Sequence, residues 1–253
     1  MRVRKAIFPV GGLGTRFLPV TKSMPKEMLP VLNKPIIQYA FEEAKRAGIE
    51  EFIFITGRNK NAINNHFDHA YELESNLSSK NKNSELKNIT GWLPQAGQIA
   101  FIRQQKPLGL GHAIWCARNF IQNEPFAVIL ADEMILDENN LLKSMIDLCQ
   151  DKDEKANIIS VNQVDKSEVH KYGIVEIDNN NKILNMVEKP SIQDAPSNLA
   201  INGRYVLQPE IFKYLEKQKA GSGGEIQLTD AMVSMAKDLP FYIKEYKGQR
   251  FDC

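Results

Sequence analysis

What the sequence has little of narrows its reading first. Three cysteines, Cys116, Cys149 and Cys253, are spread through 253 residues, and no two form a C-x-x-C pair. That spacing argues against a zinc site or a disulfide framework. Cys116 and Cys149 fall in apolar helical patterns and are expected as small core residues. Of the histidines, His66, His69 and His170 show no metal-ligand spacing. An excess of one charge is missing as well: 32 Lys+Arg against 31 Asp+Glu leaves a net +1. Proteins that coat nucleic acid carry a basic excess or stripe, so no nucleic-acid partner is expected. A small anion remains possible, because a few cations focused in one cleft suffice to hold it. No apolar run approaches the about 18 residues of a membrane span, and no signal-peptide pattern precedes the first apolar segment. No membrane partner and a reducing, cytoplasmic location are expected.

What is present is an ordinary globular composition, 43% hydrophobic and 25% charged. Through the first 150 residues, short apolar runs alternate with amphipathic stretches. Strands are expected at 6–10, 52–55, 99–102 and 126–130. Helices are expected from Pro35 to Ala47, closed by Gly48, from about His112 to Phe120, and from Leu141 to Cys149. Near-continuous apolar strands in such an alternation imply an α/β fold with a mostly parallel, Rossmann-like sheet covered on both faces by helices. The polar segment 74–98, rich in Asn, Ser and Lys, reads as an excursion or flap. After residue 155 strands follow one another at 158–161, 173–177, 183–187 and 200–207, with a turn at 178–181 and helices near 209–218 and 225–237. This second stretch is expected as a mixed-sheet elaboration of the same single domain.

Several groups of residues suggest chemistry. The first strand runs into Gly11-Gly12-Leu13-Gly14-Thr15-Arg16. Successive backbone N–H groups in such a turn can form an anion nest, and Arg16 adds a fork of donors suited to phosphate. A tight turn without a ligand would read the same way. The turn fails the P-loop pattern, lacking Gly-Lys-Ser/Thr at the required spacing. It fails the dinucleotide fingerprint too, because Phe17 stands where a third glycine is wanted. A nicotinamide-dependent oxidoreductase is weakened accordingly. Pro19, Pro25, Pro30 and Pro35 make the next segment an irregular loop, holding Lys22 and Lys26 near the turn. Asp132 follows a buried strand, where ligands of parallel sheets bind; it could hold Mg²⁺ or serve as a turn or cap residue. Asp137 nearby reads as a turn residue. Glu188-Lys189-Pro190 ends a strand, and Pro190 suggests a change of direction that brings Glu188 and Lys189 together. Arg103-Gln104 precedes Gly109-Leu110-Gly111-His112, and a Gln amide can read a base edge. His112 reads as a helix-start or packing residue.

Taken in order, several segments are specific as a set. They are the glycine turn, Pro25-Lys26-Glu27-Met28-Leu29-Pro30, Gly109-Leu110-Gly111-His112-Ala113, Glu188-Lys189-Pro190, Ser197-Asn198-Leu199-Ala200, Gly203-Arg204-Tyr205-Val206-Leu207 and Glu225-Ile226-Gln227-Leu228-Thr229-Asp230-Ala231. With them the chain resembles the bacterial UTP–glucose-1-phosphate uridylyltransferases, a sugar nucleotidyltransferase family, over essentially its whole length. The resemblance implies a nucleotide-diphospho-sugar transferase (glycosyltransferase-A-like) fold. It implies Mg²⁺-dependent conversion of UTP and glucose 1-phosphate to UDP-glucose and pyrophosphate. By position, it implies that Gly11, Gly12, Glu27, Gln104 and Gly109 hold the uracil and ribose side. Arg16 and Lys26 would meet the triphosphate, Gly173 and Glu188 the glucose, and Lys189 the sugar phosphate. Asp132 and Asp252 would bind metal. Residues 1–150 would form the nucleotide part and 151–253 the sugar part. The family carries Pro where Ala131 stands in many members and continues beyond the position of Cys253, so the resemblance implies further C-terminal sequence and a homo-oligomer, dimer or tetramer. The same chemistry on another nucleotide or sugar 1-phosphate, such as dTDP-glucose synthesis, and a non-catalytic sugar-nucleotide-binding regulator are the alternatives.

Overall fold

A computed structural model describes residues 2–137, 139–152, 155–218, 224–246 and 248–252. In chain order, β1 (Lys5–Val10) leads through three short 3₁₀ turns to a small hairpin, β2 (Pro30–Val31) and β3 (Lys34–Pro35). Then follow α1 (Ile36–Arg46), β4 (Glu51–Thr56), α2 (Asn61–His66), α3 (Tyr71–Ser79), α4 (Asn83–Thr90) and β5 (Ile99–Arg103). Next come α5 (Leu110–Trp115), α6 (Arg118–Ile121), β6 (Phe126–Ile129), β7 (Glu133–Leu136) and α7 (Leu141–Asp151). The later elements are β8 (Asn157–Gln163), β9 (Gly173–Ile177), β10 (Ile183–Glu188), β11 (Leu199–Leu207), α8 (Ile211–Lys217), α9 (Leu228–Met235), β12 (Phe241–Glu245) and β13 (Gln249–Asp252).

The sheet has a parallel core, β6-β1-β4-β5, in register Ala6↔Phe52, Phe52↔Ile99 and Ala6↔Ala127. Alternation along β1 shows why its run is apolar throughout. Ala6, Phe8 and Val10 point to one face, under α1, α2 and α7, and Ile7 points to the other, under α5, α8 and α9. A strand buried on both sides has no polar position to offer. Strand β11 extends the core antiparallel to β6, and also pairs with β8 and β9, shifting register between Ile201 and Tyr205. Strands β9, β10, β8 and β12 complete the nine-stranded sheet. The α/β class and the mixed elaboration are as the sequence implies.

Helix α1 starts after Pro35 and buries Ile36, Ile37, Ala40, Phe41 and Ala44, a stripe of helical period. Two details depart from expectation. The helix expected from about His112 to Phe120 is two, broken at Cys116 and Ala117, and Cys116 is half-buried while Cys149 is buried. The polar segment 74–98 carries most of α3 and all of α4, and neither helix buries a residue. Helices without an apolar face leave no periodic trace to read. The segment is tied down at its end by Trp92, whose ring packs on Phe41, Phe67 and His66.

Candidate active site

The carboxyl ends of β1, β4, β5 and β6 share one edge of the sheet. The chain passes from β1 to β4 to β5 on one side, then crosses back to place β6 on the other side of β1. Strand order therefore reverses at β1, and such a switch point opens a crevice between diverging loops. The glycine turn leaves β1, Gln104 leaves β5 and Asp132 follows β6. They line a cavity of about 520 Å³ with Lys26, Glu27 and Gly109. Asp132 also lines a second cavity, about 450 Å³, with Arg16, Tyr172, Lys189 and Arg250. A third, about 130 Å³, shares Lys171 and Tyr172 with the second and adds Gly173, Glu188 and Thr229. Eleven expected residues thus fall along one series of adjoining spaces: Gly11, Gly12, Arg16, Lys26, Glu27, Gln104, Gly109, Asp132, Gly173, Glu188 and Lys189. Lys22 is exposed and lines none of them. The backbone of Asp252 pairs with Glu133 in β13–β7; the Asp252 side chain lies outside the described part. Another cavity, about 780 Å³ between α1, α2 and the α3–α4 excursion, is lined by none of the expected residues.

At the first cavity, the Gln104 amide nitrogen donates to the Gly109 carbonyl at 3.1 Å and faces His112 Nδ1 at 3.0 Å. Gly109 has φ of 96°, and a Cβ there would come 2.8 Å from the Glu225 Cβ and 2.9 Å from the Ile226 carbonyl, so no other residue fits. Glu27 is buried, and Lys60 Nζ donates to its carboxylate at 2.7 Å. Burial pushes the Glu27 carboxyl above the usual carboxylate range, and the Lys60 ammonium opposes that. The buried pair fixes the proline-rich loop against the crevice floor.

At the junction of the first two cavities, Lys26 and Asp132 form an ion pair whose side chains are only 14% and 24% exposed. The backbone on either side of Asp132 is hydrogen-bonded to one side chain, Arg204. Arg204 is fully buried, and its Nε and Nη2 reach both carboxylate oxygens of Glu43 at 2.8 to 3.0 Å. Its remaining donors bond the Leu130 carbonyl at 3.1 Å and the Glu133 carbonyl at 2.9 Å. One guanidinium therefore grips the chain on both sides of Asp132, a use of its planar fork that Lys could not reproduce.

In the third cavity, Thr229 Oγ1 donates to Glu188 Oε2 at 2.7 Å. A Cβ on Gly173 would stand 3.2 Å from that same oxygen and 3.1 Å from Ile201 Cδ1. Lys189 has φ of 46°, a left-handed conformation that is rare for a residue with a side chain. That turn places the Lys189 side chain in the second cavity and Glu188 in the third, with Lys189 Nζ 3.8 Å from Glu188 Oε1. The change of direction expected at Pro190 thus occurs one residue earlier. Around the second cavity, Arg250 Nε donates to Glu133 Oε2 at 2.8 Å, and the guanidinium lies 4.9 Å from the Tyr172 ring centre.

Sequence reasoning did not single out Thr229, Arg204, Arg250, Tyr172 or Lys60; His112, expected as a helix-start or packing residue, lies in the first turn of α5 and stacks on Trp115. Arg204 and Thr229 stood inside recognised motifs, and Arg250 two residues before Asp252, so proximity to a motif was the available signal. Their partners lie 41 to 161 residues away in the chain.

The family model for nucleotidyl transferases matches residues 5–244. A Bacillus subtilis (strain 168) protein named UTP–glucose-1-phosphate uridylyltransferase is 49% identical over 255 residues, spanning 99% of this chain and 86% of that relative. A solved UDP-glucose pyrophosphorylase complexed with UDP-glucose superposes with TM-score 0.87 at 42% identity, over 99% of this chain and 93% of that one. A UTP-bound counterpart from Acinetobacter baumannii gives TM-score 0.91 at 39% identity, over 99% and 88%. With a family model matched over nearly the whole chain and relatives at 49% and 42% identity, the chain belongs to the nucleotidyl transferase family.

Proposed function

We propose that this chain transfers UMP from UTP to glucose 1-phosphate, producing UDP-glucose and pyrophosphate, with Mg²⁺ as cofactor. One observation carries the reading: Arg16 and Lys26 from the loop after β1, Asp132 after β6 and Lys189 after β10 line adjoining cavities, between the glycine-lined space and the one that holds Glu188. The names of the relatives at 49% and 42% identity agree with it. In this reading residues 1–150 supply the nucleotide part of a single domain and 151–253 the sugar part.

The donor set fits Mg²⁺ in one particular manner. Among the described residues, no three His, Cys, Asp or Glu side chains are grouped to cage a metal. Mg²⁺ is commonly held by one or two carboxylates together with substrate phosphates and waters. Asp132, at the junction of two cavities, suits an ion arriving with the triphosphate, and Asp252 is the second candidate. When bound, Mg²⁺ would neutralise charge on the reacting phosphate.

The chain's own groups do the positioning. Gly11, Gly12, Glu27, Gln104 and Gly109 hold uracil and ribose, while Gly173 and Glu188 hold glucose. Lys26 leaves Asp132 for the triphosphate, Arg16 meets the same phosphates, and Lys189 takes the phosphate of glucose 1-phosphate. An oxygen of that phosphate attacks the α-phosphorus in line. The bond from α-phosphorus to the bridging oxygen breaks, and pyrophosphate leaves with the electron pair. Two anions must approach each other, so offsetting their repulsion and aligning them is the catalytic task.

Pyrophosphate release from UTP, glucose 1-phosphate and MgCl₂ tests the reading, with each component omitted in turn and EDTA added last. Release that requires all three, and stops with EDTA, is expected. Faster turnover with dTTP or another sugar phosphate would transfer the assignment to that substrate, and binding of UDP-glucose without turnover would favour a regulator. Light scattering tests the homo-oligomer, a dimer or tetramer, that the family resemblance implies. A cytoplasmic location suits free cysteines, and among the described residues no helix is long and apolar enough to cross a membrane.

A further inference from the structure

We infer that His112 is a positioning residue for base selection: it holds the Gln104 amide so that Oε1, not Nε2, faces the nucleobase, which selects a base with an N–H on its pairing edge. The inference rests on the reading of the 520 Å³ cavity as the UTP base site. A glutamine amide offers an acceptor at one end and two donor hydrogens at the other. Which end meets the base decides between uracil, whose N3 carries a hydrogen, and cytosine, whose N3 is an acceptor.

Gln104 is 8% exposed, so water can satisfy little of its amide. Nε2 directs its two hydrogens to the Gly109 carbonyl at 3.1 Å and to His112 Nδ1 at 3.0 Å. The Gly109 carbonyl is shared, because it also accepts the Ala113 N–H at 3.1 Å. His112 Nδ1 is therefore the second acceptor that keeps the nitrogen end turned inward. With both hydrogens committed, Nε2 has nothing to offer a base. Oε1 lies beside Gly11, 3.1 Å from where a Cβ would stand, on the wall of the cavity. Among the described residues no side chain or backbone N–H donates to it.

Nδ1 can accept only in a neutral ring with its proton on Nε2. Burial, and then the Arg118 guanidinium, hold His112 below its ordinary value and favour that neutral ring. Its orientation is fixed by stacking. The Trp115 ring lies 5.9 Å away at 27°, and Arg118 sits 3.4 Å over that indole.

The test compares kcat/KM for UTP, CTP and dTTP in the wild type, H112F and H112N, with H112A as a second acceptor-free variant should H112F not fold. Asn Oδ1 stands where Nδ1 stood and restores the acceptor. Loss of one oriented hydrogen bond predicts that H112F lowers the UTP:CTP ratio about tenfold, while H112N stays within about threefold of wild type. The UTP:dTTP ratio, whose two bases share the N3–H edge, is expected to move little in any variant. An H112F enzyme with the wild-type UTP:CTP ratio overturns the inference. So does a UTP:dTTP ratio that falls as far as UTP:CTP, because that signals a damaged pocket. A wild-type protein that does not turn over UTP removes the functional reading itself, which the variants leave distinguishable.

Discussion

The two ends of the crevice are built by different means. At the base end the chain contributes loops from the carboxyl edge of parallel strands, with glycines in place of side chains and one amide held by a backbone carbonyl and His112. At the proposed sugar end, side chains of an antiparallel strand and a neighbouring helix hold one another, Glu188 of β10 by Thr229 of α9, and beside the second cavity Arg250 of β13 holds Glu133 of β7. The difference follows from the sheet. Parallel strands all present their carboxyl ends to one edge, so the loops that follow them, with their free backbone N–H groups, gather there. Antiparallel neighbours alternate direction, and a site on them must be assembled from side chains standing on the sheet. On the proposed reading, specificity at the base end is a matter of backbone approach and amide orientation. On the same reading, specificity at the sugar end depends on the tethered carboxylate of Glu188.

Removing what joins the two ends gives the largest expected effect. Arg204 lies on β11, which pairs with β6 of the parallel core and with β8 and β9 of the later, mixed part of the sheet. Arg204→Ala leaves Glu43 buried without its partner, and breaking a buried pair costs about 3–5 kcal/mol. A urea titration should show a lower midpoint with an unchanged slope. The double variant Glu43→Met with Arg204→Met should recover most of the loss, because an apolar pair leaves no buried charge. A single variant as stable as the wild type would show that the clamp around Asp132 carries no weight.

Next in size are changes at the junction, which should affect turnover while sparing both ends. Arg16→Ala and Asp132→Asn are each expected to lower kcat about a hundred- to a thousandfold, the scale of lost charge stabilisation in a transition state. The KM for UTP and the KM for glucose 1-phosphate should change far less, and Asp132→Asn should also alter the Mg²⁺ dependence. Steady-state kinetics with each substrate varied in turn checks this. An Arg16→Ala enzyme with normal kcat would take Arg16 out of the reaction.

The contrast between the ends also explains what could be read in the chain. The parallel core was legible because Ala6-Ile7-Phe8 and Phe52-Ile53-Phe54 are apolar without interruption, which only burial on both faces demands. The glycine turn and Gly109 were legible as backbone lining a crevice, where Gly11, Gly12 and Gly109 share one cavity. The polar helices at 71–79 and 83–90 were hidden, having no buried face to impose a period. The links from Thr229 to Glu188 and from Arg204 to Glu43 were hidden for another reason. They join residues that only the packing of β10 on α9 and of β11 on α1 brings together, and neither has a local signature. Lys189 was legible in part: Pro190 signalled a turn, but the left-handed conformation one residue earlier has no mark in the residue type.

A smaller effect separates the two ends directly. Thr229→Val keeps the volume and removes the hydroxyl that anchors Glu188. One lost hydrogen bond to a carboxylate should raise the KM for glucose 1-phosphate about five- to tenfold. The KM for UTP should stay at the wild-type value, because Thr229 lines only the third cavity of the crevice. Equal rises in both constants would mean that the ends are coupled and that the division drawn above is wrong.

The smallest effect expected is in pH, and it belongs to the base end alone. His112 has its pKa lowered from 6.5, by burial first and by Arg118 second. Arg118 and the half-buried Cys116 thiol, 3.9 Å from Nδ1, are the ionisable groups that the described contacts bring to the ring. Because the folded value lies below the unfolded one, the unfolded chain binds the proton first as pH falls. The neutral ring, and the hold on Gln104 that depends on it, is complete above 6.5 and erodes as pH drops through the folded value. Protonation places an N–H at Nδ1 against the Gln104 amide hydrogens, so UTP should bind less well in acid. Substrate phosphates titrate in the same range, which is why the comparison is with H112N, where that contribution is common and cancels. The ratio of wild-type to H112N KM for UTP should be flat from pH 8 to about 6.5 and rise below it. The same ratio for glucose 1-phosphate should stay flat throughout. A rise in both ratios would place the titrating group at the junction, and a flat UTP ratio would mean that the proton on His112 never reaches the face that Gln104 uses.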